Sequence, residues 1–200
     1  MPETLTPCET TPLILQLSPA IEMTEEQFFA FCQLNRELRI ERNARGDVII
    51  MTPTGSESGN RNFSLTVQLG VWVERDGTGI GFDSSAGFTL PNGAVRSPDA
   101  AWIRRDRWTA LSPEQRAKFA PICPDFVVEL RSPSDSLRSL QEKMQEYLDN
   151  GALLGWLIDR QNRRVYIYRP QREVEVLDNP STASGEDTLP NFTLNLQAIW

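Results

Sequence analysis

The segment PDFVVELRSPSDSLRSLQEKMQEYLDNGALLGWLID, residues 124–159, reads as strand, helix, strand. Between its ends the run Pro124 to Arg131 is almost wholly apolar, the pattern of a strand covered on both faces and therefore central in its sheet. Pro133 and Asp135 end it and cap a helix expected from about Ser136 to Asn150, which Gly151 stops. Leu153 to Ile158 is then another core strand. Glu129 stands inside this otherwise apolar run, and a buried carboxylate needs a cation or hydrogen-bond donors. Arg131, two residues on, points to the same face as Glu129. Lys143 shares a helix face with Tyr147, four residues later, and a helix packed beside the central strand carries its amine toward Glu129.

Upstream, Arg96-Ser97-Pro98-Asp99-Ala100-Ala101-Trp102-Ile103 is a strand with Asp99 at its start, followed by the arginine-rich residues 104 to 107. Ser112-Pro113-Glu114 opens a short helix, with serine at the cap and proline in the first turn. Further upstream, a long helix is expected from about Glu57 to Arg75, after a break at Pro53-Thr54-Gly55-Ser56. Its apolar positions cover two adjoining faces, as in a well-buried helix. Glycines 77, 79, 81 and 87 mark a hairpin that includes Phe82 and Phe88 to Leu90.

Thr24-Glu25-Glu26-Gln27 is a capping box. A hairpin follows, with Leu38 and Ile40 in its first strand, Glu41 near that strand's end and Val48 to Met51 in its second. Downstream, Arg164 to Tyr168 alternates as a strand, Asn179 to Gly185 reads as a polar loop, and Phe192 to Trp200 pack back on the body. This order predicts an α+β protein around one mixed sheet. Residues 1–21, opening on a Thr-, Pro- and Glu-rich stretch, are an N-terminal extension, and residues 22–200 are one domain.

The 200 residues contain no histidine. That excludes Ser-His-Asp and Cys-His triads, HExxH zinc sites and any imidazole base. Acid-base or metal chemistry then rests on carboxylates, Lys, Tyr or water, which favours a hard cation, Mg²⁺ or Mn²⁺. Cys8, Cys32 and Cys123 are too scattered for a disulfide framework or a CxxC pair, as in a reduced, cytoplasmic protein. The first residues lack a signal-peptide pattern, and the longest charge-free apolar stretch, Asn150 to Ile158, is about half a membrane span, so no membrane insertion is expected.

Net charge is -7, from 20 basic against 27 acidic residues. The charges are segregated, however: the chain from Arg160 to Arg172 has five arginines and no acid. Such a basic rim beside an acidic centre suits a phosphodiesterase. Only two basic residues are lysines, Lys118 and Lys143, in a chain that otherwise uses arginine. Three carboxylates, Glu41, Asp99 and Glu129, fall near strand ends. Asp99 and Glu129 lie on consecutive core strands, so they can converge at one sheet end and hold a divalent cation, with a lysine to position an attacking water or balance charge.

The runs RSPDAAWIRRDRW, CPDFVVELRSPSD and LQEKMQEYLDNGALLGWLIDRQNRRVYIYRP together resemble the Uma-two restriction endonuclease family, formerly a domain of unknown function, in the PD-(D/E)XK nuclease superfamily. The resemblance covers residues 22 to 200. It implies a restriction-endonuclease-like αβββαβ core and Mg²⁺-dependent phosphodiester hydrolysis. It implies too that Asp99 is the aspartate of the "PD" motif, Glu129 the acid of the ExK motif and Glu41 the glutamate of the preceding hairpin, all three metal ligands. Lys143, in KxxxY, matches a helical lysine that replaces the strand lysine. Pro124-Asp125 also spells "PD", but Asp125 lies four residues before Glu129 on one strand and ranks below Asp99. Two departures stand out: Arg131 occupies the motif's lysine position, and Glu57-Ser58-Gly59-Asn60 stands where many members have histidine.

The expected function is a Mg²⁺- or Mn²⁺-dependent DNA endonuclease with Asp99, Glu129, Lys143 and Glu41 in its site. Arg104, Arg105, Arg107, Arg131, Arg163 and Arg164 are the expected phosphate contacts. The alternative is an inactive nuclease fold that binds nucleic acid or protein. Cutting both strands of a duplex would suit a homodimer.

Overall fold

A computed structural model describes residues 12–51 and 55–200. Residues 1–11, with Cys8, and Pro53-Thr54 of the expected break lie outside the described residues. The core is a six-stranded mixed sheet of β4 (Gly79–Asp83), β7 (Ala100–Arg104), β8 (Phe126–Leu130), β9 (Leu154–Asp159), β10 (Arg164–Tyr168) and β11 (Glu175–Asp178), in the order β11-β10-β9-β8-β7-β4. Its one parallel pair is β8 with β9, joined through the helix α5 (Leu137–Asp149). Together with α2 (Ser56–Asp76), these elements run αβββαβ along the chain.

β8 and β9 are buried at every position, as the apolar runs require. Alternation then sorts the side chains. Trp102, Phe126, Val128 and Trp156 face α2, where they meet Leu65, Leu69 and the C-terminal Phe192, Leu194 and Ile199. Ala101, Ile103, Val127 and Leu157 face the other way, onto Met144 and Tyr147 of α5. Glu129 falls on this second face. Ser136 caps α5, its hydroxyl accepting from the Ser139 N–H.

The element order had predicted one sheet, and the chain forms a second. β1 (Leu13–Leu15), β2 (Arg39–Arg42), β3 (Val48–Met51), β5 (Phe88–Thr89) and β6 (Val95–Arg96) build an antiparallel sheet in the order β1-β3-β2-β6-β5. The glycine-rich segment is therefore not one hairpin: β4 pairs with β7 and β5 with β6. Gly79 has to be glycine, because a Cβ there would collide with the Trp102 ring on β7. Gly77 ends α2 in the left-handed conformation, φ 70°, which costs glycine least. The supposed polar loop near residue 180 contains β12 (Thr182–Ser184), paired with β13 (Thr193–Asn195).

α1 (Glu25–Leu34) begins at the expected capping box and buries Phe28 against the hairpin residues Ile40 and Val48. α3 (Arg105–Thr109) and α4 (Pro113–Arg116) are short, and Ser112 caps α4. The two large sheets meet where β6 runs through Ser97-Pro98 into Asp99 and β7. The candidate site lies at this junction. Among the described residues, no helix is long and apolar enough to cross a membrane.

Candidate active site

Glu129 is the penultimate residue of β8 and is 4% exposed. Its Oε1 accepts from the Tyr147 hydroxyl at 3.0 Å and lies 2.7 Å from Lys143 Nζ. Lys143 and Tyr147 sit one turn apart on the buried face of α5, so one helix supplies both donors. Lys143 Nζ also donates to Glu41 Oε1 at 2.9 Å. The amine therefore bridges a carboxylate of the core sheet and one of the N-terminal sheet.

Asp99 stands at the start of β7, across from the end of β8. Its Oδ2 accepts from the Leu130 N–H at 2.8 Å, which fixes the carboxylate beside Glu129. Its Oδ1 accepts from Asn62 Nδ2 of α2 at 3.1 Å and, more weakly, from Arg39 Nη1 of β2 at 3.4 Å. Asp99, Glu129, Lys143, Asn62 and Arg39 line a cavity of about 500 Å³, rimmed by Ser58 and by Ser132, Ser134 and Asp135 of the β8–α5 loop.

Glu41 is held differently. Oε1 also accepts the Ser97 N–H at 3.0 Å, and Oε2 takes Arg96 Nη1 at 3.1 Å. Arg96 Nε is itself bonded to Glu146 of α5 at 2.6 Å. Both oxygens of Glu41 are thus engaged by protein donors, and Glu41 is absent from the cavity lining. Among the described residues, no three Asp, Glu or Cys side chains gather closely enough to hold an ion. Glu41, expected as a third metal ligand, thus stands behind Lys143, with its oxygens taken up by the amine, Arg96 and the Ser97 N–H.

The charges follow from this layout. Burial would raise the Glu41 carboxyl, but the Lys143 and Arg96 cations outweigh it and hold the group at about 2. Burial pushes Glu129 up to about 7, and the Asp99 and Glu41 charges add to the rise against the pull of Lys143. Burial opposes the charge on Lys143, yet the two glutamates keep its amine above the ordinary lysine value. Lys143 is therefore an ammonium ion across the physiological range. Burial also raises Tyr147, which stays a neutral donor.

The expected site residues divide between the two ends of the sheet. Asp99, Glu129, Lys143 and Glu41 come together. Arg131 lies at the same end, but its Nη1 is fixed to both oxygens of the fully buried Asp159 at 3.1 Å and its Nε to the Asp135 carbonyl. The strand position of the motif lysine is thus spent on an internal ion pair. Arg163, in the turn between β9 and β10, and Arg164, the first residue of β10, also belong to this end. Arg163 is exposed, and Arg164 pairs with Asp178 at 3.0 Å.

Arg104, Arg105 and Arg107 are at the opposite end of β7, about 15 Å from Asp99 by strand rise. There Arg104 pairs with Asp106, Arg105 donates to the Gly77 and Gly79 carbonyls, and Arg107 meets Asp125 at 2.8 Å. Asp125, which also accepts the Arg104 N–H, caps that far end and takes no part in the cavity.

Sequence reasoning missed Asn62, Arg39, Arg96 and Glu146. Asn62 had a signal: the buried stripe Leu69, Leu65 of α2 continues toward the N-terminus through Asn62 and Ser58, polar residues on a core-facing row. Arg39 had only its place two residues before Glu41 on a strand. Nothing local marked Arg96 or Glu146.

The family model of Uma2, described as "Putative restriction endonuclease", matches residues 25–197. The chain belongs to this family. No curated protein matches the sequence. Among solved structures, the crystal structure of "a putative nuclease belonging to DUF820" from Anabaena variabilis ATCC 29413 is similar with a TM-score of 0.70, over 88% of this chain and 97% of that one, at 22% identity. A likeness at that identity establishes the shared fold. The Uma2 match runs through both large sheets and takes in all the residues of the cavity except Pro12.

Proposed function

We propose that this protein is a divalent-metal-dependent endonuclease that hydrolyses DNA phosphodiester bonds. The observation that carries the reading is the convergence of Asp99 and Glu129, from adjacent strands, with a buried lysine 2.7 Å from Glu129 on the wall of one cavity. A hard cation fits the groups present. Asn62 Oδ1 is buried without a hydrogen-bond partner among the described residues, while its Nδ2 is fixed to Asp99. An orphaned amide oxygen beside two carboxylates is a set of hard oxygen donors of the kind Mg²⁺ and Mn²⁺ prefer. Asp99, Glu129 and Asn62 would hold the ion, whose contribution when bound is to withdraw charge from a phosphate oxygen and to acidify water.

The chain's own groups do the rest. Hydrolysis forms a bond from water oxygen to phosphorus, breaks the bond to one ribose oxygen, and moves a proton from the water to the leaving alcohol. Lys143, kept as ammonium by Glu41 and Glu129, acts as donor and positive charge toward the phosphate or the entering water, not as proton acceptor. Tyr147 fixes the rotamer of Glu129, and Glu41 with Arg96 fixes Lys143. Preorganisation of this kind costs nothing at the moment of reaction.

One observation favours a second reading, a nuclease fold that binds without cutting: Arg131 stands at the motif lysine's position and is committed to Asp159. Incubating supercoiled plasmid with the protein in Mg²⁺, Mn²⁺ or EDTA separates the two. The nuclease reading expects nicking in either metal, none in EDTA, and none by Asp99→Ala. DNA binding that is indifferent to EDTA, with no nicking in any condition, would decide for the second.

A further inference from the structure

Beside the cavity two arginines meet on one exposed acid. Arg61 Nη1 lies 3.1 Å from Glu57 Oε2, and Arg160 Nη1 lies 3.5 Å from the same oxygen. The burial is lopsided: the arginine side chains are 19% and 18% exposed, the glutamate 78%. Two largely desolvated guanidinium groups thus share a single oxygen of a solvent-facing carboxylate, and among the described residues one buried nitrogen of the pair, Arg160 Nη1, is left without a hydrogen bond.

Both arginines are chain neighbours of residues at the candidate site. Arg61 precedes Asn62 on α2, and Ser58, one turn back, lines the cavity. Arg160 follows Asp159, the partner of Arg131, at the end of β9. The next residue, Gln161, donates to the Pro133 carbonyl at 3.3 Å, so this turn is tied to the loop whose Ser132, Ser134 and Asp135 line the cavity. Exposed Arg163 continues the basic surface outward from the same turn.

Resting on the nuclease reading, we infer that Arg61 and Arg160 form a phosphate subsite at the cavity rim, which takes a backbone phosphodiester of DNA flanking the scissile one, and that Glu57 fills this subsite until DNA displaces it. The exchange is favourable in kind. A guanidinium fork matches the paired oxygens of a phosphodiester better than one carboxylate oxygen, and an exposed ion pair is weak enough to be displaced. Glu57 thereby lowers affinity for DNA in general and disfavours weakly held, misplaced polyanions.

The test is equilibrium binding of a short fluorescent DNA duplex in EDTA, followed by anisotropy from low salt to 0.2 M, with plasmid nicking by the wild type in Mg²⁺ measured alongside. Arg160→Ala and Arg61→Ala each remove one phosphate contact. At 0.1 M salt each is expected to weaken binding about eightfold and to flatten the log Kd against log salt slope by about 0.9. Glu57→Gln, on the surface and harmless to folding, is expected to tighten binding about two- to fivefold. That gain should vanish in the Glu57→Gln, Arg160→Ala double variant. Unchanged affinity in Glu57→Gln, or a salt slope in Arg160→Ala equal to wild type, would overturn the subsite while nicking by the wild type kept the nuclease reading standing. A wild type that neither binds nor nicks DNA would overturn both.

Discussion

Replacing Glu41 by Gln keeps the shape of the side chain and removes the charge that Lys143 and Arg96 share. The structure sets the cost. Glu41 is held at about 2 against 4.5 for an ordinary glutamate, a difference equivalent to about 3 kcal/mol. Losing one member of a buried, hydrogen-bonded ion pair costs about 3–5 kcal/mol, which agrees. Lys143 retains Glu129 and Arg96 retains Glu146, so the lower figure applies. For a chain of this size, about 3 kcal/mol lowers Tm by about 6–12 °C.

The pH dependence gives the sign. A depressed folded value means that Glu41 contributes stability above the unfolded value of 4.5 and loses it as pH falls toward about 2. Thermal and urea unfolding of metal-free wild type and Glu41→Gln at pH 7, and again stepwise down to pH 3, would show a gap that is full at pH 7 and shrinks steadily below about 4.5. A gap under about 1 kcal/mol at pH 7, or one that does not change with pH, would refute the argument that two cations converge on this carboxylate.

Other expectations follow from single contacts. Tyr147→Phe removes one buried hydroxyl bonded to a carboxylate and opens no cavity, so it should cost about 1.5–3 kcal/mol in unfolding and reduce nicking without altering the fold. Asn62→Leu removes the orphaned amide oxygen, and calorimetric titration should show Mn²⁺ bound at least about tenfold more weakly; unchanged affinity would remove Asn62 from the ligand set. Asp125→Asn loosens the far end of β7, costing about 1.5–3 kcal/mol while Mn²⁺ affinity stays at the wild-type value.

The parts of this architecture that repeat a local chemical rule were legible from the chain. The apolar run at Phe126 to Leu130, the capped helix after it and the strand from Leu154 follow from hydropathy and turn residues within a short window, and so does the isolation of Glu129. Asp99 was found because it opens a strand next to a proline. Lys143 stood out by rarity. The division of the strands into two sheets was not legible, since β4 and β5 are chained by a few residues yet join different sheets, β4 through β7 and β5 through β6, which pairs with the distant β2. The same holds for Asn62, Arg39 and Arg96, which reach the site across 37 to 60 residues. Glu41 was visible as a carboxylate near a strand end, but its role depended on Arg96 and Ser97, brought to it only by the β2–β6 pairing.

The central claim is that the amine of this site comes from the helix and not from the strand. Its most direct test is the initial rate of plasmid nicking in Mg²⁺ by Lys143→Met, compared with wild type and with Arg131→Lys, each checked for folding by circular dichroism. If Lys143 supplies the charge at the phosphate, Lys143→Met should fall by about a hundredfold or more, and Arg131→Lys, whose position is taken up with Asp159, should stay far closer to wild type. A folded Lys143→Met that nicks within a few-fold of wild type would contradict the account.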